Sequence, residues 1–119
     1  MSDVKSEYAK LTLGGREYEI ALTLGVIDAL QDKYGSLSDA LDRTSDVRDF
    51  RFILTAMLND YIEYHNAERG TNWPLLSEAA VGRQITVRNI TEVNEAMVRA
   101  FMVSIPHGEE DSSPNAQAG

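Results

Sequence analysis

The sequence predicts an α+β protein that is mainly α-helical, with an N-terminal β-hairpin packed on a bundle of about four or five helices. Residues 9–20 alternate between apolar and polar around a glycine pair, as a half-buried hairpin does. From residue 24 onwards the apolar residues recur every three or four positions, which is the helical spacing. We therefore expect a single domain over residues 1–105, followed by a disordered acidic tail at 106–119.

The hairpin is predicted over residues 8–22. Gly14-Gly15 suits a two-residue primed turn, because glycine tolerates the positive φ that such turns require. That turn places Leu11 opposite Tyr18 and gives the hairpin one apolar face. An isolated hairpin is only marginally stable, so this face must rest on the helices. The apolar face consists of Ala9, Leu11, Tyr18 and Ile20.

The first helix is predicted over residues 24–34. Thr23 is a residue type that caps helix N-termini, and Gly35 provides the left-handed stop at the other end. The helix would bury the side chains that recur at helical spacing. These residues are Leu24, Ile27, Leu30 and Tyr34.

Two helices are predicted next, a short one at residues 37–42 and a long one at 46–68. The short helix would start at Ser36 or Ser38, and the long helix would end before Gly70. The apolar stripe of the long helix is broad, which indicates a central helix contacted on two sides. The stripe contains Val47, Phe50, Leu54, Met57, Leu58, Tyr61 and His65, flanked by Ile53, Ile62 and Tyr64.

The last two helices are predicted at residues 74–81 and 90–105. Pro74 suits the first position of a helix, since its missing N–H would be unpaired there anyway. Asn89 and Glu92 have the spacing of a capping box at the start of the final helix. The core stripe of this helix consists of Ile90, Val93, Met97, Ala100, Phe101 and Ser104.

Composition excludes several classes of protein. The 119 residues contain no cysteine, so disulfides, thiolate metal sites and cysteine nucleophiles are ruled out. The net charge is −8, and −5 remains for residues 1–105, a sign that opposes binding to nucleic acid. No window reaches the roughly 18 apolar residues of a membrane span, and the polar N-terminus has no signal-peptide core. We expect a soluble, intracellular protein with no membrane or nucleic-acid partner.

Candidate catalytic residues are few, and each has a better structural interpretation. His65 and Glu68 lie one helical turn apart, but a zinc site needs three or four ligands. Gly14-Gly15 lacks the downstream Lys-Ser/Thr of a phosphate-binding loop. Acidic pairs one turn apart are better explained as solvated surface or as favourable charge near helix N-termini. They are Asp28 with Asp32 and Asp42 with Asp46. The sequence thus predicts no enzyme, no cofactor and no metal.

Four apolar residues stand where a small lone domain would favour polar ones. Phe52 and Ala56 fall on the otherwise polar face of the long helix, and Met102 and Val103 lie off the core stripe of the last helix. They either pack against the hairpin and short helices or form an oligomer or partner-binding surface, where aromatics and methionine are enriched. Trp73 has the same two explanations, and we favour local packing for it.

The order of motifs resembles that of the phage tail assembly chaperones, including related proteins of prophages and gene transfer agents. The matching features are LTLGGREYEI, LTLGVIDALQDKYG and SLSDAL, followed by a long helix and a final helix. The resemblance extends over about residues 8–105 and is strongest in 11–42. It implies a non-enzymatic protein that binds the tape measure protein, keeps it soluble and assists polymerisation of the tail tube protein. Such chaperones act in the cytoplasm of the bacterial host and are generally absent from the mature virion.

The resemblance leads to specific expectations. We expect Phe52, Met102 and Val103 to contribute to tape-measure contact or to a homo-oligomer, with Ala56 beside them. Many members of the family also have a longer form made by ribosomal frameshifting. Ser113-Pro114-Asn115 can be encoded by a slippery heptamer, which the coding DNA would test. The alternatives are a structural virion component, such as a head–tail connector or minor tail protein, and a small protein-binding regulator.

Overall fold

The computed structural model describes residues 8–104 and the side-chain surroundings of residues 8–102. It has the predicted mainly helical α+β architecture, with an N-terminal hairpin followed by five helices. The predicted disordered tail at 106–119 lies outside the described residues. The elements are β1 Ala9–Leu13, β2 Arg16–Ile20, α1 Leu24–Tyr34, α2 Leu37–Asp42, α3 Val47–Arg69, α4 Glu78–Arg83 and α5 Ile90–Ser104.

The hairpin has the predicted register, with Ala9 opposite Ile20 and Leu11 opposite Tyr18. Both turn glycines have positive φ, 61° at Gly14 and 79° at Gly15, as a primed turn requires. The apolar face is buried because α3 packs on β2 and α5 packs on β1. The hairpin thus bridges the long helix and the last helix, and it supplies the support that an isolated hairpin lacks.

Three helix N-termini are capped by side-chain oxygens, and the sequence predicts two of the caps, Thr23 and Ser36, without singling out Asp46. Thr23, Ser36 and Asp46 cap α1, α2 and α3, and their side-chain oxygens accept hydrogen bonds of 2.9–3.3 Å from first-turn amides. At the other end of α3, Gly70 has the left-handed conformation with φ 69°. Residue type and position therefore predicted these boundaries to within a residue.

The helix predicted at residues 74–81 is wrong at its start. α4 begins four residues later, and its N-cap is Ser77, whose Oγ accepts from the Ala80 N–H at 3.0 Å. Pro74 lies in a segment with no regular secondary structure instead of at a first helical position. The reason is tertiary, because side chains of α3 bind the backbone groups that a helix would need. Asn66 binds Trp73, and Asn59 binds Leu76.

The capping box predicted for the last helix does not form, although α5 begins at Ile90 as expected. The Asn89 side chain instead binds the preceding loop. Its Oδ1 accepts from the Thr86 N–H at 2.8 Å, and its Nδ2 donates to the Gln84 carbonyl at 2.8 Å. Glu92 is exposed. The asparagine therefore orders the α4–α5 loop.

Four residues of the predicted apolar stripes are on the surface, among them Tyr64, which flanks the stripe of the long helix and is 56% exposed. Leu24 is 81% exposed and Val47 is 78% exposed, although both match the helical spacing of their stripes. Each lies in the first turn of its helix, beyond the point where a neighbouring element covers the stripe. Ile90, also in a first turn, is 39% exposed. Periodicity predicts the direction in which a side chain points but not where along the axis a neighbour ends.

Candidate partner-binding surface

His65, which the sequence offers as a possible metal ligand, is packed among aromatic side chains, as expected for a structural histidine. His65 is buried, its Nδ1 lies 2.8 Å from Thr71 Oγ1, and its ring stacks on Trp73 at 3.9 Å with an interplanar angle of 17°. Trp73 also contacts Tyr18 and Tyr61 edge-on or tilted, which confirms its local packing. Within residues 8–104, no group of three or more His, Cys, Asp or Glu could hold a metal ion.

The predicted partner residue Phe52 belongs to α3, and its side chain packs against the end of α1. Its ring meets Tyr34 edge-on at 6.0 Å, and Lys33 Nζ lies 4.6 Å above it. Ala56, one turn later, is also half-buried. The face of α3 that the sequence suggested was polar is therefore a packing face, and the packing alternative accounts for Phe52. Its companion on α5, Met102, lies elsewhere, so the structure does not bring the predicted residues into one cluster.

The exposed side of α5 carries an apolar ridge that includes Met102. Ile90, Asn94, Val98 and Met102 follow one another at four-residue spacing, so neighbours in this row adjoin while the row winds about 120° around the helix from Ile90 to Met102. Ile90, Val98 and Met102 are 39%, 43% and 53% exposed. We call these four residues the α5 ridge. Val103 belongs to α5, but its side chain lies outside the described surroundings.

Beside the α5 ridge lies an open groove that the sequence did not predict. It is bounded by the first turn of α3, the end of α4, the α4–α5 loop and the first turn of α5, and its volume is about 610 Å³. We call it the α3–α5 groove. Its lining is mostly apolar and includes Val47, Phe50, Ile85, Val87 and Ile90. Ile90 and Asn94 belong to both features, so groove and ridge form one continuous surface that is mostly apolar and is interrupted by the polar Asn94.

The walls of the α3–α5 groove are held by local hydrogen bonds. Thr86 Oγ1 accepts from the Arg88 N–H at 3.1 Å, and Asn89 binds both sides of the same loop. The side chain of Gln84 lies against Gly14 in the hairpin turn, which connects this loop to the sheet. Val87 is nevertheless 91% exposed at the groove edge. The groove is therefore formed in the free protein and presents apolar side chains that nothing in residues 8–104 covers.

Val87, an apolar residue between the polar Thr86 and Arg88, is the feature of the sequence that could have indicated this site. Its significance depends on Val47 and Phe50, which are forty and thirty-seven positions earlier in the chain and share the groove with it. Only the packing of α4 on α3 brings these segments together. The sequence thus contained the residues of the surface without indicating their proximity.

The fold and the surface define a small, mainly helical α+β domain with a preformed apolar groove. No protein-family model, curated protein or solved structure matches the chain. Among residues 8–104, none of the helices has the length and apolar character needed to cross a membrane.

Proposed function

We propose that this protein is a tail assembly chaperone of a phage or prophage. It binds the tape measure protein, keeps it soluble and assists polymerisation of the tail tube protein around it. It acts in the cytoplasm of the bacterial host and is not retained in the mature virion. The observation that carries the proposal is the continuous, mostly apolar surface formed by the α3–α5 groove and the α5 ridge.

The dimensions of this surface suit a helical partner. From Ile90 to Met102 the ridge is about 18 Å long at 1.5 Å per residue, which equals roughly three turns of a bound helix. An amphipathic helix binds such a groove through apolar residues at helical spacing. A tape measure protein contains long apolar helices that would aggregate before the tube encloses them, so coverage of this kind would keep it soluble.

The small size of the surface favours reversible binding. Burial of a large apolar side chain contributes about 1.5–3 kcal/mol, and association itself costs several kcal/mol. A contact centred on Val47, Val87 and Ile90 therefore gives modest affinity per copy. Many copies along one tape measure chain would together hold it strongly and could still be displaced one at a time as the tube grows.

Two further observations support the proposal. The elements of the structure follow the order that carried the resemblance, with the hairpin of LTLGGREYEI running directly into the capped helix of LTLGVIDALQDKYG. The lining of the groove is also mostly apolar, with Thr44, Ser45, Thr86 and Asn94 as its uncharged polar residues and Arg51 as its charged one, which suits a role in binding.

Co-expression with the very long reading frame expected beside the gene tests the function. The protein should raise the soluble fraction of that product and co-purify with it. Val87→Asp and Met102→Asp should each abolish both effects, because they place a carboxylate on the apolar surface. Leu24→Asp is the matched control, since Leu24 is also exposed but begins α1, where the neighbouring Thr23 binds Asp60 in the second half of α3.

Some outcomes would contradict the proposal. If Val87→Asp and Met102→Asp solubilise the long product as well as the unchanged protein does, the surface is not the binding site. Stoichiometric presence of the protein in purified particles would favour a structural virion component instead. Phe52→Asp is less informative because it removes a ring packed on Tyr34, and it should be interpreted only with its stability measured.

A further inference from the structure

The one charged residue in the lining of the α3–α5 groove is positive, Arg51, although the chain as a whole is acidic with a net charge of −8. Three more arginines directly follow lining residues in the chain. Arg48 follows Val47, Arg83 follows Gly82, and Arg88 follows Val87.

The acidic residues near this rim are engaged in local contacts. The Asp46 carboxylate caps α3 by accepting hydrogen bonds from the amides of Arg48 and Asp49 at 2.9 and 3.3 Å. Glu78 Oε1 lies 3.7 Å from Arg51 Nε, which is an ion pair but too long for a hydrogen bond. Arg51 Nε is buried and has no hydrogen-bond partner in the described part of the chain.

We call Arg48, Arg83 and Arg88 the rim arginines. All three are exposed, and over residues 8–104 none of them forms an ion pair with a carboxylate. Glu95, which directly follows the lining residue Asn94, lies about 140° around α5 from Ile90, and Glu92 lies about 200° around it, so both point away from the groove. The groove therefore has a mostly apolar lining that contains Arg51, and three exposed arginines without ion pairs in residues 8–104 adjoin that lining in the chain.

We infer that the α3–α5 groove binds an amphipathic helix whose apolar stripe is flanked by aspartate or glutamate side chains. This inference rests on the proposed function and specifies the chemistry of the tape-measure segment. The apolar lining requires an apolar stripe, while guanidinium groups bind carboxylates through charge-assisted hydrogen bonds. A nucleic acid would offer phosphates to the arginines but would leave the exposed valines at Val47 and Val87 without an apolar partner.

Three synthetic helical peptides test the inference with the full-length protein. They share one apolar stripe and carry glutamate, glutamine or lysine at every flanking position. Binding measured by calorimetry should be about tenfold tighter for the glutamate peptide than for the lysine peptide, as expected for a few exposed ion pairs. Raising the salt concentration should reduce that preference by screening and leave the apolar contribution.

A charge-reversal variant identifies the rim. Arg83→Glu combined with Arg88→Glu should invert the order, so that the lysine peptide binds more tightly than the glutamate peptide. Lys10→Glu combined with Arg69→Glu changes the net charge equally and should leave the order unchanged. Arg69 ends α3, and Lys10 is exposed on β1 of the hairpin, so neither belongs to the groove or to the α5 ridge. All variants change exposed residues, and their urea midpoints verify that they fold.

Equal affinity for the three peptides, or an unchanged order in the rim variant, would overturn the inference. So would binding of a single-stranded DNA oligonucleotide that depends on Arg83 and Arg88 in the absence of peptide binding. The proposed function and this inference can fail independently. If the protein solubilises the product of the long reading frame but shows no charge preference among the peptides, the proposed function stands and the inference is wrong. If it shows the charge preference but does not solubilise that product, the inference stands and the proposed function is wrong.

Discussion

The side-chain amide of Asn59 binds both backbone groups of Leu76. Its Oδ1 accepts from the Leu76 N–H at 2.8 Å, and its Nδ2 donates to the Leu76 carbonyl at 2.9 Å. Two turns later on α3, Asn66 does the same to Trp73 at 2.9 and 3.0 Å. These four hydrogen bonds hold the segment before α4 against α3 and satisfy backbone groups that have no secondary structure to pair with.

Asn59→Asp should destabilise the protein by about 1–3 kcal/mol. The variant keeps the acceptor for the Leu76 N–H but replaces the donor with an oxygen that faces the Leu76 carbonyl. The free energy of unfolding from urea titration measures the loss. Asn72→Asp makes the same chemical change at an exposed position of the same segment and should have an effect within about 0.5 kcal/mol. Equal losses in the two variants would contradict the role assigned to Asn59.

Arg16→Ala should lower stability by about 0.5–1 kcal/mol through loss of a cation–π contact. The guanidinium carbon of Arg16 lies 3.9 Å over the ring of Trp73, which also stacks on His65. Trp73 is the only tryptophan in the chain, so its fluorescence should change in the folded state of this variant. Lys10→Ala, on the exposed face of the hairpin, should leave the emission spectrum unchanged.

Tyr34→Phe should change how stability depends on alkaline pH. Burial, and secondly the 2.6 Å hydrogen bond to Asp49, raise the pKa of Tyr34 above its ordinary value of 10.0. The folded protein therefore keeps a proton that the unfolded chain releases, so this contribution is fully present below about pH 10 and is lost as the pH rises further.

At neutral pH the Tyr34→Phe variant should be less stable by about 1–2 kcal/mol, because the hydrogen bond to Asp49 is absent. Urea midpoints measured at increasing pH should show this difference shrinking above about pH 10. Tyr61, whose pKa burial also raises, is present in both proteins and cancels in the comparison. A difference that stays constant well above pH 10 would contradict the link to Tyr34.

Gly14→Ala should cost more stability than Gly15→Ala. Both positions have positive φ, so each substitution carries a backbone strain of about 1 kcal/mol. A Cβ at Gly14 would in addition displace the flexible end of the Gln84 side chain, which adds a small cost, while a Cβ at Gly15 would meet open space. Chemical denaturation of the two variants in a Gln84→Ala background gives the decisive comparison, because the difference between them should disappear there.

The hairpin register and the helix caps could be predicted because local chemistry determines them. A two-residue turn at Gly14-Gly15 allows one register that gathers the apolar residues on one face, and a slip by one residue would expose all of them. Thr23 and Ser36 cap helices because an oxygen at that position reaches the free first-turn amides wherever the helix lies. No long-range contact is needed for either feature.

The roles of Phe52 and Pro74 could not be predicted, because both depend on what the rest of the chain brings near α3. Phe52 falls among Thr55, Asn59 and other polar positions of that helix, a pattern that indicates solvent. In the structure this face packs α1 at Phe52 and binds the segment before α4 through its asparagines. The same asparagine hydrogen bonds remove Pro74 from the predicted helix.

The sequence by itself determined the fold class, the order of the elements and the residues that begin and end most of them, because spacing and capping act over one or two turns of chain. Tertiary structure alone decided where the apolar surface lies. Val47, Val87 and Ile90 form one surface only because α4 packs on α3 and the hairpin lies across α3 and α5. That proximity arises from packing between segments about forty residues apart, which local spacing cannot encode.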